Sequence, residues 1–102
     1  MNYHQYMADN FDSLLDKAFD FHKSGKFEEA KNIYESILNI QPDNVEALNL
    51  YGQLSASIGD YDKSIELFNR LYEIKNIDDV KIQLAKTYML KGDYTNAIKL
   101  FN

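Results

Sequence analysis

Apolar positions along this chain recur with the spacing of helix faces. Phe11, Leu14, Leu15, Ala18, Phe19, Phe21 and His22 follow the i, i+3, i+4, i+7 progression of an amphipathic helix. A second face is drawn by Phe27, Ala30, Ile33, Tyr34, Ile37 and Leu38, and a third by Ala47, Leu48, Tyr51, Gly52 and Leu54. Ile65, Leu67, Phe68 and Leu71 make a fourth; Val80, Ile82, Leu84, Ala85 and Tyr88 make a fifth. A sixth helix begins near Tyr94 and runs toward Asn102. The punctuation agrees with these faces. Gly25 supplies a left-handed position just past the first helix, with Lys23 in its last turn. Gln41-Pro42 ends the second helix, because the residue before Pro disfavours helical geometry. Asp43-Asn44-Val45-Glu46 reads as a capping box for the third, with Asp43 accepting and Glu46 reaching back. Asp78 opens the fifth.

A longer period overlies the helical one. Gly25, Gly59 and Gly92 are 34 and 33 residues apart, in the related stretches SGKFEEAKNIY, IGDYDKSIELF and KGDYTNAIKLF. Each glycine is followed two residues later by an aromatic (Phe27, Tyr61, Tyr94) and five later by a small residue (Ala30, Ser64, Ala97). Nine residues after it stands another aromatic (Tyr34, Phe68, Phe101), and seven before it a second small residue (Ala18, Gly52, Ala85). Small residues at both places let the two helices of a hairpin approach closely while the aromatics fill the space around them. One such hairpin cannot bury both of its faces. Neighbouring hairpins must therefore stack into a superhelix, and an ordinary bundle would not need the period.

This pattern resembles the tetratricopeptide repeat, a helix–turn–helix unit of 34 residues. The units are 11–44, 45–77 and a partial 78–102, with residues 1–10 as an N-terminal extension. The motif's small residue matches Ala18, Gly52 and Ala85, and its turn matches Gly25-Lys26-Phe27, Gly59-Asp60-Tyr61 and Gly92-Asp93-Tyr94. Its proline is Pro42 in the first unit and Asn76 in the second. Lys17 and Lys81 replace apolar positions of the motif. The resemblance implies an all-α fold, a right-handed superhelical solenoid of antiparallel helix pairs, about two and a half repeats long. It also implies that the first helix of each unit lines a concave groove. The groove residues would be Asp12, Leu15, Asp16, Phe19 and His22, then Glu46, Asn49, Leu50, Gln53 and Ser57, then Asp79, Ile82, Gln83, Lys86 and Met89. One subgroup of the family grips the C-terminal carboxylate of a chaperone with Lys, Asn and Arg. The corresponding positions are Leu15, Phe19, Leu50, Asp79 and Gln83, which offer no cation, so that ligand is not expected.

Composition narrows the function. In 102 residues, 16 acids outnumber 11 Lys and Arg, for a net charge of −5. Such a balance disfavours nucleic acid and anionic membranes, which demand a positive field. Cysteine is absent, so disulfides, thiol nucleophiles and thiolate metal sites are excluded. The first ten residues carry no apolar run of the signal-peptide kind, and no apolar stretch approaches a membrane span; a soluble, cytoplasmic protein is expected. His4 and His22 are 18 residues apart and fit no metal-ligand spacing. The glycines are isolated, which excludes a phosphate loop. Asp12, Asp16 and Asp20 form an i, i+4 ladder that reads as a solvated acidic face, with a recognition surface or weak cation site as the alternatives.

With no catalytic, cofactor or metal constellation, the expected function is a non-enzymatic protein–protein interaction module that takes a peptide or helix of a partner in its groove. The residues expected to carry binding are Leu15, Phe19, Asn49, Leu50, Gln53, Ile82, Gln83 and Lys86, although Leu15, Phe19 and Ile82 read equally well as half-buried core residues. Asn49 and Gln53, one turn apart, suit a peptide backbone; acidic neighbours favour basic partners. Two alternatives stand beside it. Leu100 and Phe101 are poorly covered at the C-terminal end, which suits a homodimer, with or without exchanged helices, or a segment of a longer repeat array. A longer chain would allow fusion to a catalytic domain such as a glycosyltransferase or kinase.

Overall fold

A computed structural model of the chain describes residues 3–102, with side chains from Asn10 onward. The side chain of His4 lies outside the described residues. Six helices follow one another: α1 (Tyr3–Lys23), α2 (Phe27–Ile40), α3 (Val45–Ser57), α4 (Tyr61–Ile74), α5 (Asp78–Lys91) and α6 (Tyr94–Lys99). No strand occurs among the described residues. Each helix packs on its predecessor and its successor, and α1 also reaches α3. The hairpins α1–α2, α3–α4 and α5–α6 thus stack as a right-handed superhelical solenoid of about two and a half repeats. Its principal extents are 48 × 29 × 18 Å and its radius of gyration is 14.3 Å. A compact domain of this length would have a radius of about 13 Å, so the stack is elongated.

The three hairpin turns are copies of one another. Gly25, Gly59 and Gly92 have φ of 79°, 85° and 89°, and a Cβ built on any of them would meet nothing within 4 Å. Backbone conformation, not space, is what requires glycine there. The residue after each glycine donates its N–H five residues back, Lys26 to Phe21, Asp60 to Ser55 and Asp93 to Tyr88, every time at 2.8 Å. This Schellman closure satisfies carbonyls that the helix end leaves open. Asp60 and Asp93 then cap the following helices, accepting from Lys63 N and Asn96 N at 3.2 Å. The first turn has Lys26 at that place and no side-chain cap.

The cap of α3 differs from the sequence expectation. Asn44, not Asp43, accepts from Ala47 N at 2.9 Å. α3 starts at Val45, so Asp43 stands one residue too early to reach the first free N–H groups. Three residues past Asn44 is Ala47, so the reciprocal half of the box is missing. Asn44 Nδ2 instead donates to Gln41 Oε1 at 2.9 Å, tying the α2–α3 turn together.

The small residues occupy the helix crossings. Ala18, Ala30, Gly52, Ser64, Ala85 and Ala97 are all buried. At the α3–α4 crossing, a Cβ on Gly52 would lie 2.7 Å from Phe68 Cε1, inside any tolerable contact. Ser64 Oγ donates to Gly52 O at 2.8 Å across the same crossing. Around it, Tyr34 and Tyr51 stack with centroids 5.9 Å apart. Lys17 and Lys81 cover the apolar surface left at their positions: Lys17 Nζ lies 5.9 Å from the Phe21 ring and Lys81 Nζ 5.4 Å from the Phe101 ring.

Candidate partner-binding groove

α1, α3 and α5 are the first helices of the three hairpins and lie along one side of the stack. Between α3 and α5 this side opens into a cleft of about 480 Å³. Val45 and Asn49 of α3 form one wall; Asp79, Val80, Ile82, Gln83 and Lys86 of α5 form the other. Leu71 of α4 and the loop residues Lys75 and Ile77 close one end. The structure therefore brings together four of the eight residues expected to bind: Asn49, Ile82, Gln83 and Lys86. Gln53 adjoins them, since its Nε2 donates to Asn49 Oδ1 at 3.1 Å. That bond holds the Asn49 carbonyl oxygen and leaves the Asn49 amide hydrogens free to donate.

The other three residues are placed apart. Leu15 is only 4% exposed and belongs to the core, which corrects the expectation that it anchors a ligand. The reason is the packing of α1 against both α2 and α3: Phe11, Leu15 and Ala18 form the covered face. Leu50 is half-buried against the same core. Phe19 is 38% exposed but sits near the end of α1, edge-on to His22 at 6.1 Å, with Lys23 Nζ 4.9 Å from its ring. His22 is edge-on to Phe27 as well, and its Nε2 lies 3.5 Å from Ser57 Oγ. Burial lowers its pKa below the ordinary 6.5.

Sequence reasoning missed the end wall. Lys75, Ile77 and Leu71 belong to the second helix of the middle unit and the loop after it, outside the first-helix register from which the groove was inferred. One signal pointed to them. Ile77 is an apolar residue directly preceding a helix, and it is left 49% exposed. The electrostatics also differ from an evenly acidic groove. Lys75 and Lys86 line the cleft with Asp79 as the sole acid, while the acidic ladder Asp12, Asp16 and Asp20 is exposed on α1. Among the described residues no group of His, Asp and Glu could hold a metal ion, and no helix is long and apolar enough to cross a membrane.

The opposite side carries a smaller polar cleft of about 260 Å³, lined by Glu35, Leu38, Asn39, Tyr51, Lys63, Leu67 and Arg70. Its polar groups are largely used internally. Tyr51 OH donates to Glu35 Oε1 at 2.7 Å, Lys63 pairs with Glu66 at 3.4 Å, and Arg70 donates to the Pro42 carbonyl.

Comparison with known proteins agrees with this arrangement. No curated protein sequence matches the chain. Among solved structures it is similar to a mutant of the Thermobaculum terrenum O-GlcNAc transferase, at 26% identity and a TM-score of 0.80. That likeness covers 91% of this chain but 18% of the transferase chain. Two family models, both for the tetratricopeptide repeat, match residues 21–76 and 79–102. With these matches the likeness first drawn from three spaced glycines becomes membership, and the chain belongs to the tetratricopeptide repeat family.

Proposed function

We propose that this chain is a protein-interaction module that seats an extended peptide or a helix of a partner in the α3–α5 cleft and performs no covalent chemistry itself. Repeats of this family generally mediate protein–protein interaction. The observation that carries the reading here is the convergence of Asn49, Ile82, Gln83 and Lys86 on one open cleft. The Asn49 amide hydrogens and the Gln83 side-chain amide are suited to a peptide backbone; Ile82 and Ile77 are exposed apolar contacts. Lys75 and Lys86 favour an acidic group on the bound segment, with Asp79 turning a basic residue toward the α5 N-terminus.

The test is capture by the immobilised chain, followed by titration of the captured partner against variants. Asn49→Ala combined with Lys86→Glu is expected to weaken binding at least about tenfold, or about 1.4 kcal/mol, with helicity and melting temperature unchanged. A partner held equally well by that variant, but lost when Glu35 and Lys63 are exchanged in sign, would move the site to the opposite side.

A further inference from the structure

Cations lie over aromatic rings in both the first and the last hairpin, Lys81 over Phe101 at 5.4 Å in the last. At the first hairpin Phe21 is overlaid by two cations, Lys17 and Lys26, each with Nζ 5.9 Å from the ring centroid. At the last hairpin α5 and α6 enclose a hollow of about 300 Å³, lined by Ala85, Met89, Tyr94, Ala97, Ile98 and Phe101. Met89, Tyr94, Ile98 and Phe101 are between 55% and 62% exposed, and Leu90 beside them is 60% exposed. This is a contiguous apolar face, not scattered surface residues.

We propose that a second copy of the chain covers this face in a two-fold symmetric contact. Area is the first support. Five large side chains at this exposure leave roughly 600 Å² on each copy, or about 1,200 Å² for the pair, which reaches the range of stable specific interfaces. Shape is the second. Two alanines, Ala85 and Ala97, floor the hollow, and four large side chains stand around it, so one surface carries both ridge and recess. A two-fold contact requires that self-complementarity, since the same patch must serve both partners.

Sedimentation equilibrium on the 102-residue chain tests this. Across roughly two decades of concentration the weight-average mass is expected to rise from 11.9 kDa toward twice that value, with a midpoint of about 10 µM. Ile98→Asp and Phe101→Asp are each expected to weaken association at least about tenfold. Both side chains are exposed, so folding survives, as circular dichroism would record. Ile40→Asp, at an equally exposed isoleucine on α2, is expected to leave the mass unchanged, and so is Asn49→Ala in the groove. A wild-type chain that stays at 11.9 kDa throughout overturns the proposal, whether or not a helix from another protein is then found in the hollow. A dimer indifferent to both aspartates overturns it as well. Neither result bears on the groove, which is tested with a different ligand and different residues.

Discussion

Two buried residues show how tightly individual side chains are constrained. Gly52 lies under Phe68, which is itself only 1% exposed and has little room to withdraw. Alanine at that position gains about 1 kcal/mol of helix propensity, but overpacking costs about 1–3 kcal/mol, so Gly52→Ala is expected to be destabilising on balance. Chemical denaturation would measure it, and adding Phe68→Leu to the same chain should recover part of the loss. Tyr34 behaves in the opposite sense. Its ring is fully buried against Tyr51, yet its hydroxyl is a buried atom with no hydrogen-bond partner. Tyr34→Phe is expected to leave stability unchanged or raise it by about 1 kcal/mol, since a lone buried hydroxyl is a liability. Burial also pushes the Tyr34 pKa up from 10.0 to about 12. Tyr51 is raised too, by burial first and then by the Glu35 carboxylate that accepts its proton. A group whose folded pKa is raised contributes stability that is complete below its unfolded pKa. That contribution is lost as pH climbs through the folded value. Thermal stability is therefore expected to fall between about pH 10 and pH 12, less steeply in Tyr34→Phe than in wild type. A flat profile across that window would contradict the burial of both rings.

At the scale of the element, the turns and caps explain why six short segments become helices of defined length. Gly59 sits at φ 85° with open space around it, so Gly59→Ala measures backbone conformation alone and should cost about 1–2 kcal/mol. The caps give a cleaner contrast. Asn44→Ala is expected to cost about 1 kcal/mol and Asp43→Ala almost nothing, because Asn44 makes the bond to Ala47. Conversely, the first turn has Lys26 where the others have Asp60 and Asp93. Lys26→Asp should stabilise α2 by about 1 kcal/mol, by adding the missing cap and an acid at the helix N-terminus. These elements also mark what could be read in advance. The glycine period and the small residues at the crossings were legible because close helix contact and positive φ admit few residue types. The choice between Asp43 and Asn44 was not, since both are good caps and a shift of one residue in the helix start decides between them. Leu15 was misplaced for a related reason. Its register position is the same as that of Asn49 and Ile82, but α3 packs on α1 and covers it. Repeat register states where a residue points; what comes to lie over it depends on the neighbouring hairpin.

For the molecule as a whole, a stack of hairpins distributes stability by neighbours. α3 and α4 are flanked on both sides, whereas α6 has six residues and a largely exposed face. Hydrogen exchange is expected to be slowest in α3 and α4 and fastest in α6, with second-copy association slowing α6 selectively. The same elongated arrangement leaves one side of α3 and α5 open between helices that are held from behind, and there lies the cleft proposed to seat a partner. The charge of the cleft also differs from that of the whole chain. The chain carries −5 overall, but Lys75 and Lys86 face the cleft and Asp79 stands alone. The most direct measurement is a nitrogen-15 amide titration of the labelled chain with the segment of a captured partner. Shifts are expected at the side-chain amides of Asn49, Gln53 and Gln83 and the backbone of Ile82 and Lys86, with the Glu35–Lys63–Arg70 side unchanged. Shifts concentrated on that opposite side, with the Asn49 and Gln83 amides still, would contradict the assignment of recognition to the α3–α5 cleft.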